Sequence, residues 1–381
     1  MNRKGVFAFV FVFALLSGIA AEAAEPIKIG AIFSVTGPAS FLGEPKRNTA
    51  KMLEAEINKS GGVLGRPVEF IIYDDESEAT KAVTAVDRLI KRDRVVAIIG
   101  PSISGNTLAI MPKIGEAKIP LISCAAAKKI AVPPQPYVFK TAPSDLLAAR
   151  KIFKDLKSRK MTRIAIITAS DGYGAGGRED MKEIAPQMGI SIVADEVYGP
   201  KDTDMTAQLT KIKGTDAQAI VCWGTNPGPA VVARNRVQLG IKTPLYMSSG
   251  VASKKFIELA GAENAEGILL PAARLIVEPQ VPADHPQKKV IAKYINEYEG
   301  KYKQAVSTFG GHAHDAIGIL VQAINEAGST DPKAIRDAIE KVKGFQGTWG
   351  EFNFTPEEHT GLTEEAFVMV RIVKGDWEML K

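Results

Sequence analysis

The residues best placed to do chemistry lie between Val95 and Ala127. Ser102, Ser104 and Asn106 belong to a small polar segment that follows an apolar run at 95–99 and the pair Gly100-Pro101. A helical pattern through Leu108, Met111 and Ile114 comes next. Free backbone N–H groups, two hydroxyls and the positive end of a helix dipole meet in such a segment, which makes it a seat for a carboxylate or phosphate. A second apolar stretch at 120–123 ends in Cys124-Ala125-Ala126-Ala127, whose side chains are small enough for a ligand to approach the backbone. Ligands of open α/β sheets lie outside the carboxyl ends of the strands. Taken alone, 102–106 also reads as a plain capped helix start; the second small-residue strand end points to a site.

Other chemistries are weaker. Gly172-Tyr173-Gly174-Ala175-Gly176-Gly177 has the G-x-G-x-x-G form, with Asp195 and Glu196 at the expected distance. Three residues separate these glycines from the preceding strand, where a dinucleotide turn is tight, and Tyr173 is bulky where a pyrophosphate must pass. The alternatives are ligand contact through Tyr173 or a plain glycine-rich connection. His312-Ala313-His314-Asp315 lacks the partner histidines or cysteines of a metal site and reads as a helix start near a cleft. Gly100-Pro101-Ser102-Ile103-Ser104 is not a nucleophile elbow, and no spacing supports a Ser–His–Asp triad. Phe41, Tyr173 and Trp223 are aromatics at expected strand or loop ends.

These candidates need elements to hold them, and the hydrophobic pattern supplies two βα series. Strands are expected at 27–33, 68–73, 95–99, 120–123 and 138–140, with helices over 45–58 and 78–92. After Thr141-Ala142-Pro143-Ser144 the pattern restarts. Helices are expected at 146–157, 177–188, 205–212 and through 234–239, and strands at 163–168, 191–198, 219–223, 245–247 and 267–270. Helices at 287–302, 315–327 and 332–342 follow, then strands at 367–372 and 376–379. Two such series make an α/β protein of two doubly wound lobes with a ligand cleft between them.

The first 23 residues read as an export signal. Arg3 and Lys4 precede an apolar run at 6–16 that is short for a membrane span, and Ala21-Glu22-Ala23 offers a cleavage site. Cleavage after Ala23 releases an exported chain that starts at Ala24. With 48 Lys and Arg against 43 Asp and Glu and no basic run, nucleic acid is not an expected partner. The two cysteines, Cys124 and Cys222, lie in apolar strand patterns in different halves of the chain, which favours two buried free thiols over a bridge.

Several segments, taken in order, resemble the periplasmic solute-binding proteins of branched-chain amino acid ABC importers. They are Ile27-Lys28-Ile29-Gly30 leading to Thr36-Gly37-Pro38, Asn58 before Gly61-Gly62-Val63-Leu64-Gly65, Tyr73-Asp74-Asp75, Ile99-Gly100-Pro101-Ser102, Pro120-Leu121-Ile122-Ser123 and Asp171-Gly172-Tyr173-Gly174. The resemblance implies the type I periplasmic binding protein fold, with three crossings near Pro143, Ala272 and Thr360. It divides the mature chain into a first lobe, 24–143 plus about 273–360, and a second, 144–272 plus about 361–381. It implies no catalysis and no cofactor or metal, a monomer in the periplasm, and a membrane permease or a receptor as partner.

Residue by residue, Ser104 matches the serine that binds the ligand carboxylate, Ala125 a residue that binds it through the backbone, and Tyr173 a ligand-contact tyrosine. Ser102, Ala126 and Ala127 complete the expected anion seat, with Ala127 where amino acid binders usually carry threonine. Asn226 stands about where tyrosine is common, and Phe41 and Leu42 where the first loop often carries one. Ser249 covers the place of the acid that meets an amino acid's ammonium. A buried ammonium without a partner is costly. The expected ligand is therefore a small carboxylate without an α-amino group, an aromatic or keto acid, framed by Tyr173, Phe41 and Trp223. Branched-chain amino acid binding is the alternative, and an exported dinucleotide-dependent or hydrolytic enzyme the alternative of another class.

Overall fold

The computed structural model describes residues 25–380; the expected export signal lies outside them. A five-stranded parallel sheet is built from Val68–Asp74, Ile27–Phe33, Ile98–Ile99, Leu121–Ser123 and Val138–Lys140, in that spatial order. A seven-stranded sheet runs Asp376–Met379, Val368–Val373, Leu269–Ala272, Leu245–Met247, Ala219–Trp223, Arg163–Ala169 and Ser191–Tyr198. Its first two strands are antiparallel and close one edge. The continuous apolar runs of the central strands are buried on both faces because helices cover both.

Chain order and spatial order disagree. The chain leaves the first sheet at Lys140 and makes the body of the second. It then returns as Lys288–Tyr302 and Thr308–Ala327, which pack on the first lobe's Ser40–Lys59 helix. Tyr294 and Thr49 share a hydroxyl hydrogen bond of 2.7 Å there, and Tyr302 donates to the Asn48 carbonyl at 2.7 Å. The last two strands then join the second sheet.

Three helices start earlier than their pattern predicts, and each shift bears on the cleft. The first runs over Ser40–Lys59 with Pro45 inside it. The glycine-rich segment is the opening of a helix, Gly172–Ile184, rather than a loop. Asp171 caps it, its Oδ1 accepting from the N–H groups of Tyr173 (3.0 Å) and Gly174 (2.8 Å). The histidine-bearing helix begins at Thr308, so His312 lies a turn inside it.

The lobes touch beside the cleft. Lys128, just past the 124–127 loop, reaches Glu183 at 2.8 Å and Asp180 at 3.6 Å on the Gly172–Ile184 helix, and Lys129 reaches Glu179 at 2.7 Å. A Cβ on Gly172 would lie 3.2 Å from Gly105 Cα, so two helix starts meet backbone to backbone across the mouth. Among the described residues no helix is long and apolar enough to cross a membrane.

Candidate functional site: a cleft between two sets of strand ends

A cavity of about 380 Å³ opens where loops at the carboxyl ends of both sheets face each other. The first lobe contributes Ala39 and Leu42 after its first strand, Ser102 to Asn106 after its third, and Cys124, Ala125 and Ala126 after its fourth. The second contributes Asp171 to Tyr173, Tyr198, Thr225, Asn226, Ser249 and Gly250.

The first-lobe wall is made of donors. The Ser102 hydroxyl accepts from the Ser34 N–H and the Ser104 hydroxyl from the Ala127 N–H, each at 3.2 Å. A hydroxyl that has accepted keeps its proton free to give. Ser104 also opens the helix Ser104–Ala117, which has no side-chain cap, so its first N–H groups lack intrahelical partners. Of the three alanines, the Ala125 N–H is taken by Ser123 Oγ at 3.2 Å and the Ala127 N–H by Ser104, which leaves the Ala126 N–H without a partner among the described residues. Asn106 is turned away and held by Asp75 at 2.7 Å.

Two buried lysines stand behind this wall. The Lys46 ammonium donates to the carbonyls of Ser102 (3.2 Å) and Cys124 (3.1 Å), tying the two ligand-facing loops together. Burial pulls its pKa down to about 8. Lys140 similarly grips the carbonyls of Ala126 and Ala127, and burial lowers it to about 8 as well, against the pull of Asp145. His312 faces the cavity between Phe309 and Trp349, stacked on the Trp349 indole at 4.7 Å. Burial first, then Lys46 and Lys140, hold its imidazole well below its ordinary pKa, so it is neutral. Trp349 is kept there by Asp315, whose carboxylate accepts from the Thr348 and Trp349 N–H groups at 2.7 and 3.0 Å.

The second-lobe wall carries mostly neutral polar groups, with Asp171 and Lys201 as its charged members. The Tyr173 and Tyr198 hydroxyls and both amide atoms of Asn226 are buried without a hydrogen-bond partner among the described residues. Ser249 lies at the start of a short 3-10 turn with no carboxylate in its place. The acid that lines the cavity is Asp171, and one of its oxygens is occupied in capping.

Ser102, Ser104, Ala125, Ala126, Tyr173, Asn226 and Ser249 thus lie together around one cavity. Three expected site residues do not. Trp223 is a correction: it is fully buried beneath the Gly172–Ile184 helix, where a Cβ on Gly177 would lie 2.2 Å from its indole nitrogen. Gly174 is equally committed, since a Cβ there would lie 2.1 Å from the Ala169 carbonyl, so these glycines serve helix-on-strand packing. Phe41 is the second correction. The early helix start turns Leu42 into the cleft and Phe41 sideways onto Phe309, ring centroids 5.5 Å apart. Ala127 sits behind the wall and acts through its N–H on Ser104.

Residues that sequence reasoning missed include Lys46, Phe309, Trp349, Tyr198 and Lys201, whereas the sequence places His312 at a helix start near a cleft without giving it a ligand role. The first had a signal: Lys46 shares the helix face of Ala50, Leu53 and Ile57, a cation at an inward position. Cys124 and Cys222 are both buried and unbridged, with burial pushing their thiols up to about 11 and about 12. Among the described residues no three potential metal-ligating side chains converge.

Two α/β lobes, each offering strand-end loops to a shared cleft, define a two-lobe solute-binding protein. The chain belongs to the periplasmic binding protein family, whose model matches residues 26–376. It is 26% identical over 334 residues to a leucine-, isoleucine-, valine-, threonine- and alanine-binding protein of Pseudomonas aeruginosa, covering 87% of this chain and 86% of that one. An extracellular ligand-binding receptor from Rhodopseudomonas palustris superposes with a TM-score of 0.87 at 30% identity, over 93% of this chain and 99% of that one. A branched-chain amino acid transporter substrate-binding protein from Streptococcus pneumoniae, solved with isoleucine, gives a TM-score of 0.82 at 26% identity, over 94% of this chain and 100% of that one.

Proposed function

We propose that this chain is the exported solute-binding component of an ABC importer. It captures a small carboxylate without an α-ammonium, an aromatic or keto acid, and presents it to a membrane permease. The protein works as a monomer in the periplasm after cleavage behind Ala23. Its first lobe comprises 24–143 plus about 273–360 and its second 144–272 plus about 361–381, and they close on the ligand about crossings near Pro143, Ala272 and Thr360.

The observation that carries this reading is the charge asymmetry of the cleft. One wall offers Ser102, Ser104, the Ala126 N–H and Lys46; the other offers Tyr173, Tyr198, Asn226 and a serine, Ser249, in place of an acid, with Asp171 and Lys201 as its charged groups. A ligand ammonium placed at Ser249 loses water and gains neutral partners, which is unfavourable. Leu42, Phe309, Tyr173 and Trp349 supply an apolar and aromatic surround for the body of an acid.

A second reading, branched-chain amino acid binding, is favoured by what the relatives are named for and by Asp171, whose Oδ2 has no hydrogen-bond partner among the described residues and could receive an ammonium. Melting shifts separate the two. A ligand that binds the folded state raises stability by about 2.7 kcal/mol at a hundredfold excess over its dissociation constant. The reading predicts shifts with benzoate-like and keto acids and none with leucine, isoleucine or valine. Shifts confined to the amino acids overturn it.

A further inference from the structure

The helix Ser40–Lys59 buries an ammonium that has no carboxylate within salt-bridge distance among the described residues. Lys46 is 1% exposed and lines the cavity. Two of its three protons go to the Ser102 and Cys124 carbonyls, and no carboxylate lies within 4 Å of its nitrogen among the described residues. A buried charge is tolerated when it is paired or when a ligand pairs it. Beside it, His312 is 6% exposed, and both of its ring nitrogens lack partners although the residue faces the cavity. The two belong together physically, since the Lys46 charge is one of the forces that keeps the His312 ring neutral. A neutral imidazole offers one donor and one acceptor. Thr141 donates to the His312 carbonyl at 2.8 Å, and Ala142 and Pro143 complete the lining, so the pair sits on the hinge side of the cleft.

We propose that Lys46 and His312 form a hinge-side subsite for an anionic oxygen of the ligand, with Lys46 as the fixed counter-cation and His312 as a neutral hydrogen-bonding partner. This deepens the carboxylate reading and rests on it for the ligand's charge. The groups facing Lys46 do not supply the missing anion. The Cys124 thiol is held neutral by burial, and Asp75, which favours the Lys46 charge from beyond salt-bridge distance, is itself pushed up by burial and held by Asn106 and the Ser77 N–H. Asp315 accepts from the Thr348 and Trp349 N–H groups and lies beyond salt-bridge distance of Lys46, Lys140 adds like charge, and Asp171 stands across the cleft on its own helix cap.

Pairing has a pH signature with a definite sign. Burial holds Lys46 near 8 in the empty cleft, and an anion placed against it raises that value. Binding therefore takes up a proton above pH 8, and affinity falls as pH rises, by up to tenfold per unit. Below pH 8 the ammonium is present in both states and affinity is flat.

Isothermal titration tests this with three carboxylate probes, 4-methyl-2-oxopentanoate, leucine and acetate, between pH 6 and 9. Wild type, Lys46→Met and His312→Phe are compared, with ligand-free melting curves as the check on folding. The expected result is a dissociation constant that is level to pH 7 and rises above pH 8 in wild type. Lys46→Met binds at least tenfold more weakly at pH 7 and loses the pH dependence; His312→Phe binds more weakly and keeps it. Should Lys46→Met not fold, the wild-type profile and His312→Phe decide. A level wild-type profile, a Lys46→Met affinity within twofold of wild type, or a slope that persists in Lys46→Met and so belongs to Lys140 overturns the proposal. Failure of all three probes overturns it too. Leucine bound alone with the Lys46-dependent slope refutes the preference for an acid without an ammonium and keeps the subsite. The oxo acid bound with a level profile does the reverse.

Discussion

The two walls of the cleft handle their polar groups in opposite ways. On the first lobe the Ser102 and Ser104 hydroxyls have each accepted an N–H, and the carbonyls of Ser102, Cys124, Ala126 and Ala127 are held by buried lysines. What faces the ligand is a set of fixed donors. On the second lobe Tyr173, Tyr198 and Asn226 are buried with nothing to bond. Buried polar groups left unpaired cost about 1–3 kcal/mol each, so that wall is completed by what it binds. The contrast is one of readiness: the first lobe presents donors already held in place, and the second presents polar groups that still lack partners among the described residues.

The largest effect expected from breaking this contrast is on the charged side. Ser104→Ala removes a donor to the ligand anion and strands the Ala127 N–H, so affinity should fall by about 1.5–3 kcal/mol, roughly ten- to a hundredfold or more. Calorimetric titration of the bound acid reads the affinity loss directly, and because the stranded Ala127 N–H costs about 1–3 kcal/mol in the empty protein too, the ligand-free melting temperature should also fall. An unchanged affinity moves the anion away from this loop.

A smaller loss is expected from the neutral side. Asn226→Ala removes hydrogen bonds to an uncharged part of the ligand, worth about 0.5–1.5 kcal/mol. Because it also removes a group that is unpaired in the ligand-free protein, the empty protein should melt no lower than wild type. The comparison sharpens if the Ser104 loss shrinks with added salt while the Asn226 loss does not. Equal losses with equal salt response would mean the walls do not differ in kind.

Much of this arrangement was legible in the sequence. The strand-and-helix alternation predicted both lobes, and the small-residue strand ends predicted the loops at the cleft. What escaped depended on facing. Trp223 ends a strand buried on both faces, and a run without alternation does not say which side the last residue takes. Phe41 and Leu42 exchange roles because the helix starts at Ser40 instead of Pro45, and a shift of one residue on a helix turns a side chain by about 100°. Lys46 and His312 were readable in principle, the latter in phase with Phe309, Ala316 and Ile319. A polar residue on an apolar helix face does not by itself point to a site, whereas the serines sit in a loop at a helix start.

The most direct test is a matched pair. Leucine and 4-methyl-2-oxopentanoate share a carboxylate and a branched body, and differ in that an oxo group replaces the ammonium. Isothermal titration of both at pH 7 isolates the place where Ser249 stands without an acid. The charge asymmetry of the cleft predicts that the oxo acid binds at least tenfold more tightly than leucine, a difference of about 1.4 kcal/mol. Tighter binding of leucine would contradict it and place the ammonium on Asp171.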